Sequence, residues 1–293
     1  PGERCSPELC ERARGYFDKR RAAITEGLRH ERLTREAVEE LAARHDVCPF
    51  ELSLDLSEIS DVVICDYNHA FDPKVKLKRF FVDKGEYCLL SDEAHNLVDR
   101  SREMLSAQVT QKKFEALRRE MGRALGKQHP IYESLTALIE ALKSLLNHVD
   151  QPTMDLEPPA KLQQPMVRFT EAAAPLLEAG SESLRDGYFQ ALDYLRTLEL
   201  FDGSFRCLID PGEGSVSVKL WCYDASDYLR DCLGKVRAGV FFSATLQPMH
   251  YYAGCLGIRE DEGDAMLDLP SPFPPENQLT LRLPLGTRYR VRE

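Results

Sequence analysis

The sequence predicts an α/β fold in which strands alternate with helices and a helical insert interrupts the sheet. Three unbroken apolar runs support the sheet: Asp61–Asp66, Tyr87–Ser91 and Ala238–Phe242. Short runs of this kind are typical of strands that are buried on both faces of a parallel sheet. Between the second and third runs, apolar residues recur at helical spacing, which predicts an inserted helical region over residues 108–203.

The composition limits the classes of protein to which the chain can belong. Of its 293 residues, 43% are hydrophobic and 29% are charged, as in soluble globular proteins. No apolar run approaches the roughly 18 residues that span a bilayer. Without a signal-peptide pattern, we expect a cytoplasmic protein, nucleoid-associated if bacterial. The formal net charge of −10 repels polyanions, so binding to nucleic acid would need a local basic groove. Nine scattered cysteines favour reduced thiols or metal ligands over a disulfide framework.

Further elements follow from local patterns. Near the start of the chain, helices are predicted over Glu8–Leu28 and Thr34–Arg44, the second opening with a capping signal. After the insert, Phe205–Ile209 and Val216–Cys222 flank a glycine-rich turn and are predicted to pair as a hairpin. The insert itself is predicted to contain four helical patterns: Phe114–Leu125, Ile131–Val149, Met166–Leu177 and Glu182–Leu200.

The tetrapeptide Asp92-Glu93-Ala94-His95 follows the second apolar run and is the strongest functional signal. Its acidic pair lies just past the carboxyl end of a predicted strand, where open α/β sheets bind ligands. An Asp in this position of a P-loop NTPase holds Mg²⁺, and a following Glu can orient or deprotonate the attacking water. The alternative is the acidic first turn of a surface helix, stabilised by the helix dipole. The context favours a nucleotide site.

Six stretches of the chain form an ordered set: Cys5–Cys10, Val47–Glu51, Val62–Pro73, Asp92–Leu97, Phe242–Leu246 and Leu269–Asn277. In this order they resemble the iron–sulfur DNA helicases of the XPD/DinG type, DEAH-box members of superfamily 2. The resemblance implies part of a P-loop (RecA-like) motor domain with an iron–sulfur cluster domain and an all-helical arch domain. It also implies ATP, Mg²⁺ and a 4Fe–4S cluster as cofactors, and a monomeric motor that moves 5′ to 3′ on single-stranded DNA, unwinds forked duplexes and serves DNA repair.

The resemblance also implies a division of the chain. The expected parts are an incomplete cluster domain (1–55), a first part of the first motor domain (56–107), the helical arch (108–203), a second part of that motor domain (204–257) and the start of a second motor domain (258–293). The sequence has no G-x-x-x-x-G-K-[ST] phosphate loop. In the resembled family that loop precedes the cluster domain. We therefore expect a piece of a longer protein that is inactive alone.

Cysteines and polar residues carry the expected roles. Cys5, Cys10 and Cys48 match three of four 4Fe–4S ligands in the resembled family, whose remaining cysteine would lie upstream. Thiolates are the usual cluster ligands, and the alternatives are a zinc site or incidental thiols. Asp92 is the expected Mg²⁺ ligand and Glu93 the residue that activates water, both at the ATP site.

Three further residues are expected to couple hydrolysis to the rest of the motor. His95 would sense the γ-phosphate region, or else is only a polar residue at a helix start. Ser243 and Thr245 follow the third apolar run, where their hydroxyls could bond to the Asp92 turn and relay hydrolysis to DNA contacts. The alternative for these two residues is a cap on the following helix, and both roles are compatible.

Candidate DNA contacts come from an aromatic residue, an amide and local basic runs. Tyr67 could stack on a base and Asn68 could bind the sugar–phosphate, or both belong to a structural turn. Four basic side chains are candidates for backbone contacts, although such runs are usually solvated faces: Lys74, Lys112, Lys113 and Arg118. The rival function is an iron–sulfur nucleic-acid-binding scaffold without ATPase activity, against which the intact acidic pair argues.

Overall fold

A computed structural model of the chain describes residues 10–147, 149–178 and 180–281. These residues form an N-terminal helical module, a small α/β core around two parallel strands, and a larger insert with its own hydrophobic core. No helix within the described ranges is long and apolar enough to cross a membrane.

The N-terminal module consists of three short helices around one apolar cluster. Leu41 and Leu52 are fully buried at its centre. The predicted cap at Thr34 is confirmed, because its hydroxyl accepts a hydrogen bond from the Ala37 amide at 3.3 Å. The first helix starts later than its predicted first residue, Glu8, which lies outside the described residues. The helices are α1 (Tyr16–Gly27), α2 (Arg35–Arg44) and α3 (Pro49–Ser57).

The remaining helices and strands follow in chain order. They are α4 (Tyr67–Phe71), α5 (Lys78–Phe81), β1 (Cys88–Ser91), α6 (His95–Leu105), β2 (Ala107–Thr110), α7 (Gln111–Ala124), α8 (Pro130–Lys143), β3 (Thr153–Asp155), α9 (Gln163–Ala173), α10 (Glu182–Glu199), β4 (Phe205–Asp210), β5 (Ser217–Cys222), α11 (Ser226–Leu233), β6 (Ala238–Phe241) and α12 (Met249–Cys255).

The two strands β1 and β6 form a parallel pair, so the second and third apolar runs are strands as predicted. Their register places Ser91 opposite Phe241, and both strands therefore end at the same edge of the sheet. Helices α4, α6, α11 and α12 contribute to the apolar cluster associated with this pair. The prediction of burial on both faces is wrong for the described structure, because Leu90 is 68% exposed and Val240 is 50% exposed.

The first apolar run, Asp61–Asp66, is not a strand, and this prediction needs correction. The run has no regular structure and pairs with no strand in the described part of the chain. Val62 and Ile64 are 77% and 94% exposed. An apolar run indicates residues that can fill a buried strand, but a strand also needs a neighbour that accepts its backbone hydrogen bonds.

The insert is α+β, and the prediction of an all-helical region that ends at residue 203 also needs correction. Helices α7 to α10 share one core with a four-stranded antiparallel sheet of order β2-β5-β4-β3. Phe114, Phe169 and Tyr194 from the helices and Leu220 from the sheet are fully buried in it. The predicted β4–β5 hairpin is confirmed, yet it packs in this core and not beside the β1–β6 pair.

The segment after α12 packs on α11 through charged side chains. Arg230 donates to Glu262 at 2.7 Å and also to Asp264, and Arg259 donates to Asp227. From residue 265 to residue 281 the chain has no regular structure except one short 3₁₀ turn. The predicted start of a second motor domain covers this stretch and continues into residues 282–293, which lie outside the described residues.

Asp55 joins the N-terminal module to the segment that contains α5. Its side chain is 5% exposed. It accepts hydrogen bonds from the Tyr16 hydroxyl at 2.8 Å, from Arg20 Nη1 at 3.0 Å and from Arg79 Nη1 at 2.6 Å. Burial by itself would raise the pKa of Asp55, but the hydrogen bonds from Arg79, Tyr16 and Arg20 outweigh burial and hold the pKa below its usual value. The carboxylate thus links α1 and α3 to α5.

Replacing Asp55 by Asn should lower the free energy of unfolding by about 2 kcal/mol near neutral pH, because buried hydrogen bonds to charged groups are lost. The difference in the free energy of unfolding between the variant and the unmodified protein should become smaller as the pH falls below about 4. A carboxyl whose pKa is lower in the folded state than in the unfolded state stabilises the fold only while it is ionised. Urea unfolding at several pH values measures both effects. Asp83→Asn, at an exposed position, is the matched control. Equal effects of the two variants would contradict the role of Asp55.

Candidate active site

The acidic pair lies in a tight turn that connects β1 to α6. Glu93 has φ 47°, in the left-handed region that residues other than glycine rarely adopt. Within the turn, Asp92 Oδ1 accepts a hydrogen bond from the Glu93 amide at 2.7 Å. The Ala94 amide donates to the carbonyl of Phe242, next to the end of β6, at 3.1 Å. The turn is therefore fixed to the neighbouring strand as well as to itself.

Four side chains meet beside this turn and form the acid–hydroxyl cluster: Glu93, His95, Ser243 and Thr245. Ser243 Oγ donates to Glu93 Oε2 at 2.9 Å. His95 Nδ1 lies 2.9 Å from Ser243 Oγ and 3.0 Å from Thr245 Oγ1. The same nitrogen is 3.3 Å from Glu93 Oε2. The structure thus brings together two hydroxyls, an imidazole and a carboxylate from the turns after β1 and β6.

The proton positions in the acid–hydroxyl cluster follow from its hydrogen bonds. The single hydroxyl proton of Ser243 is directed to Glu93, so the contact between Ser243 and His95 requires the imidazole as donor. This assigns a proton to Nδ1 of His95, facing the carboxylate. Glu93 is thus hydrogen-bonded directly to Ser243 in the turn after β6, and His95 contacts both hydroxyls of that turn.

The exposed carboxylates fit a divalent cation whose other ligands come from outside the protein. Asp92 is exposed, and the side chain of Glu93 is 58% exposed. The described part of the chain contains no group of three or more His, Cys, Asp or Glu residues that could hold a metal ion. Mg²⁺ usually binds one or two carboxylates and completes its shell with waters and phosphate oxygens. Asp92 is the residue that would hold such an ion.

Tyr67 and Asn68 open α4 and do not follow a strand. Asp66 caps this helix by accepting a hydrogen bond from the Asn68 amide at 3.1 Å. The Tyr67 hydroxyl donates to the Asp92 carbonyl and to the Glu93 carbonyl, the latter at 3.0 Å. The roles predicted for Tyr67, base stacking or a structural turn, did not include its contact with the acidic turn. Asn68 Oδ1 is buried without a hydrogen-bond partner among the described residues.

The structure separates the four basic candidates. Lys74 Nζ lies 3.0 Å from Asp193 Oδ2 of α10, and both side chains are partly buried, so its charge is paired inside the protein. Lys112 and Lys113 are exposed on α7. Arg118 lies over the Tyr132 ring, with 5.7 Å between Cζ and the ring centroid. The two exposed lysines are the candidates whose charges are most available to a phosphate backbone.

The cysteines differ in their location and burial. Cys10 is half-buried before α1, and Cys48 is 9% exposed at the start of α3, so both lie in the N-terminal module. Cys5 lies outside the described residues. Burial raises the pKa of Cys207 and Cys222 to about 12, which keeps these thiols protonated inside the insert. Cys10 and Cys48 are the described cysteines of the module, whereas Cys65 and Cys88 are exposed outside it.

Known proteins match parts of this chain. The DEAD_2 family model matches residues 3–114. "Fanconi anemia group J protein homolog" of Gallus gallus is 36% identical over 74 residues, which cover 25% of this chain and 6% of that protein. "Regulator of telomere elongation helicase 1 homolog" of Caenorhabditis elegans is 28% identical over 111 residues, covering 36% and 11%. The solved "Structure of S. tokodaii Xpd4" is 16% identical, with a TM-score of 0.41, covering 79% of this chain and 52% of that one.

The matched region contains the cysteine segments and the acidic turn. Over this region the chain is similar to the DEAD_2 family and to these relatives, in agreement with the resemblance to XPD-type helicases found in the sequence. Its aligned segments span 6% and 11% of the length of these two curated relatives.

Replacing Lys112 and Lys113 together by Ala should weaken binding of single-stranded DNA and lower its salt dependence. Two lost phosphate contacts should reduce the slope of log Kobs against log salt by about 1.4. Lys74→Ala should leave the slope unchanged, because the lysine pairs with Asp193. Fluorescence anisotropy with a labelled oligonucleotide across a salt series measures these slopes. Lys161→Ala, another exposed position, is the control. A reduced slope for Lys74→Ala would identify Lys74 as a phosphate contact.

Proposed function

We propose that this chain forms part of an ATP-dependent DNA helicase that couples ATP hydrolysis to movement on single-stranded DNA. The observation that carries the proposal is the meeting of the acidic turn after β1 with Ser243 and Thr245 after β6. Two carboxylates, an imidazole and two hydroxyls thus lie at one sheet edge. Ligands bind at this edge in open α/β sheets.

Each residue of the site has a defined task in this proposal. Bound Mg·ATP supplies the phosphoryl group and the charge that polarises it. Asp92 would hold the metal through its exposed carboxylate. Glu93 would accept the proton of the attacking water, and its hydrogen bond from Ser243 would orient the carboxylate. His95 and Thr245 would then register the altered charge of Glu93 and pass it to the turn after β6.

The N-terminal module would hold the proposed 4Fe–4S cluster through its cysteine thiolates. Cys48 is buried at the start of α3, and Cys10 leads into α1, which packs against α3 in the same core. Cys5 and a further cysteine would complete the four ligands. A cluster held in this way would tie the beginning of the module to its end, because the Cys10–Cys48 segment contains α1 and α2. The expected contribution of these residues is therefore to stabilise the fold of the module.

We also propose a biological role, a substrate and a direction of movement. The relatives are named as a Fanconi anemia group J protein and a regulator of telomere elongation helicase, which supports a role in DNA repair. Forked duplex DNA is the proposed substrate, with 5′ to 3′ movement by a monomeric motor in the cytoplasm or on the nucleoid. The rival function, a nucleic-acid-binding scaffold without ATPase activity, would leave the acidic turn without a chemical task.

Replacing Glu93 by Gln in the complete protein should lower kcat for ATP hydrolysis by at least about 100-fold, because a general base contributes this much or more. The amide keeps the shape of the side chain, so binding of Mg·ATP should persist. Steady-state kinetics and nucleotide binding measure the two effects.

The matched control for this prediction is Glu103→Gln, at an exposed position on the same α6 helix. It should hydrolyse ATP at the normal rate. Near-normal turnover of the Glu93→Gln variant would reject the role of Glu93. An absence of DNA-stimulated hydrolysis in the unmodified complete protein would favour the scaffold.

Replacing Cys48 by Ser should remove the iron from the complete protein when it is purified without oxygen. One of four thiolate ligands is lost, and Ser is a poor substitute for it. Metal analysis and the visible absorbance of the protein provide the measurement. Cys65→Ser, which changes a cysteine outside the module, should retain the iron. Zinc in place of iron in the unmodified protein would show that the metal was assigned wrongly.

A further inference from the structure

The Tyr67 hydroxyl is the one side-chain donor from α4 that the described contacts bring to the acidic turn. It donates to two consecutive backbone carbonyls, those of Asp92 and Glu93, the second at 3.0 Å. A single hydroxyl proton is shared between the two oxygens, as in three-centre hydrogen bonds elsewhere in proteins. The contact joins residues 25 and 26 positions apart. It therefore fixes the turn from a separate element.

The turn needs such support because its backbone is strained. Glu93 is not a glycine, yet its φ is 47°, and conformations of this kind persist only where surrounding contacts hold them. The Asp92 side chain bonds within the turn, and the Ala94 amide bonds to Phe242. Those contacts satisfy two amides of the turn. The Asp92 carbonyl accepts a hydrogen bond from Tyr67, and the Glu93 carbonyl accepts from Tyr67 and from the Asn96 amide at 2.9 Å.

The Tyr67 side chain is anchored by packing of its ring against the apolar cluster of the α/β core. It is thus held at its base, while its hydroxyl reaches the carbonyls of the turn.

We infer that Tyr67 is a positioning residue that holds the Asp92–Glu93 backbone in the conformation from which the two carboxylates reach their ligands. The inference rests on the proposed function and deepens it. Orientation of a catalytic group contributes to the rate through the transition state, because small misplacements are costly there. We assign Tyr67 no contact with the substrate. It acts on the reaction only by holding the conformation of the turn.

Tyr67→Phe tests this inference, because it keeps the ring in the apolar cluster and removes only the hydroxyl. Tyr223→Phe is the matched control, since the Tyr223 hydroxyl also donates to a backbone carbonyl, that of Gly203, at 2.8 Å. Amide hydrogen exchange of the peptide that covers residues 89–98 measures the local stability of the turn directly. Exchange should become about five-fold faster in Tyr67→Phe, the equivalent of one net hydrogen bond, and stay unchanged in Tyr223→Phe. Unchanged exchange in Tyr67→Phe would overturn the inference.

Kinetics of the complete protein separate positioning from a merely structural role. Tyr67→Phe should lower kcat for ATP hydrolysis about ten-fold and leave KM for ATP within about two-fold, the signature of a lost transition-state contribution. Faster exchange with an unchanged kcat would also overturn the inference. If the unmodified protein hydrolyses no ATP, the proposed function fails, whereas the exchange experiment still decides whether Tyr67 holds the turn.

Discussion

The parallel pairing of β1 with β6 brings together two turns that lie 150 residues apart in the chain, at Glu93 and Ser243. Closing a loop of this length costs entropy, and the cost grows with length. The insert reduces this entropic cost because its first and last strands pair with each other. Strand β2 enters the insert and β5 leads out of it as neighbours, with Ala107 opposite Leu220. Once the insert has folded, the loop that must close between β1 and β6 is effectively much shorter.

Sequence patterns were sufficient where the evidence lies in adjacent residues. The cap at Thr34, the start of α10 at Glu182 and the β4–β5 hairpin all depend on side chains within a few positions of one another. Patterns failed where a distant partner decides the structure. Strand β3 has only three residues, too few for a periodic signal, and β2 is defined by its pairing with β5. The run Asp61–Asp66 shows the opposite case, an apolar signal without a paired strand in the described chain.

The same distinction between local and distant determinants applies to the candidate site. The acidic turn could be predicted because residue types and spacing carry its chemistry. The contact of Tyr67 could not, because it is made to backbone carbonyls, which every residue possesses and which leave no mark in the sequence. The pairing of Lys74 with Asp193 spans 119 positions and converts a candidate DNA contact into an internal one. A basic run in the sequence therefore says little about which charges face outward until the acidic partners are placed.

Residues 66–81 touch each of the parts that the fold keeps separate. Arg79 bonds to Asp55 of the N-terminal module, and Lys74 bonds to Asp193 of the insert. The Phe71 carbonyl accepts a hydrogen bond from Tyr228 of α11 at 2.8 Å. Tyr67, at the start of the same segment, bonds to the acidic turn.

These contacts fix the position of residues 66–81 relative to the module, the insert and the acidic turn. Each is a directional hydrogen bond or ion pair, so a displacement of the module or the insert would strain it. The ring of Tyr67 and the side chain of Phe71 lie in one apolar cluster with α6, which begins directly after the acidic turn. A segment that is packed on α6 and bonded to both outer parts cannot shift without altering the contact between Tyr67 and the turn. The conformation of Glu93 therefore depends on groups well outside the acid–hydroxyl cluster.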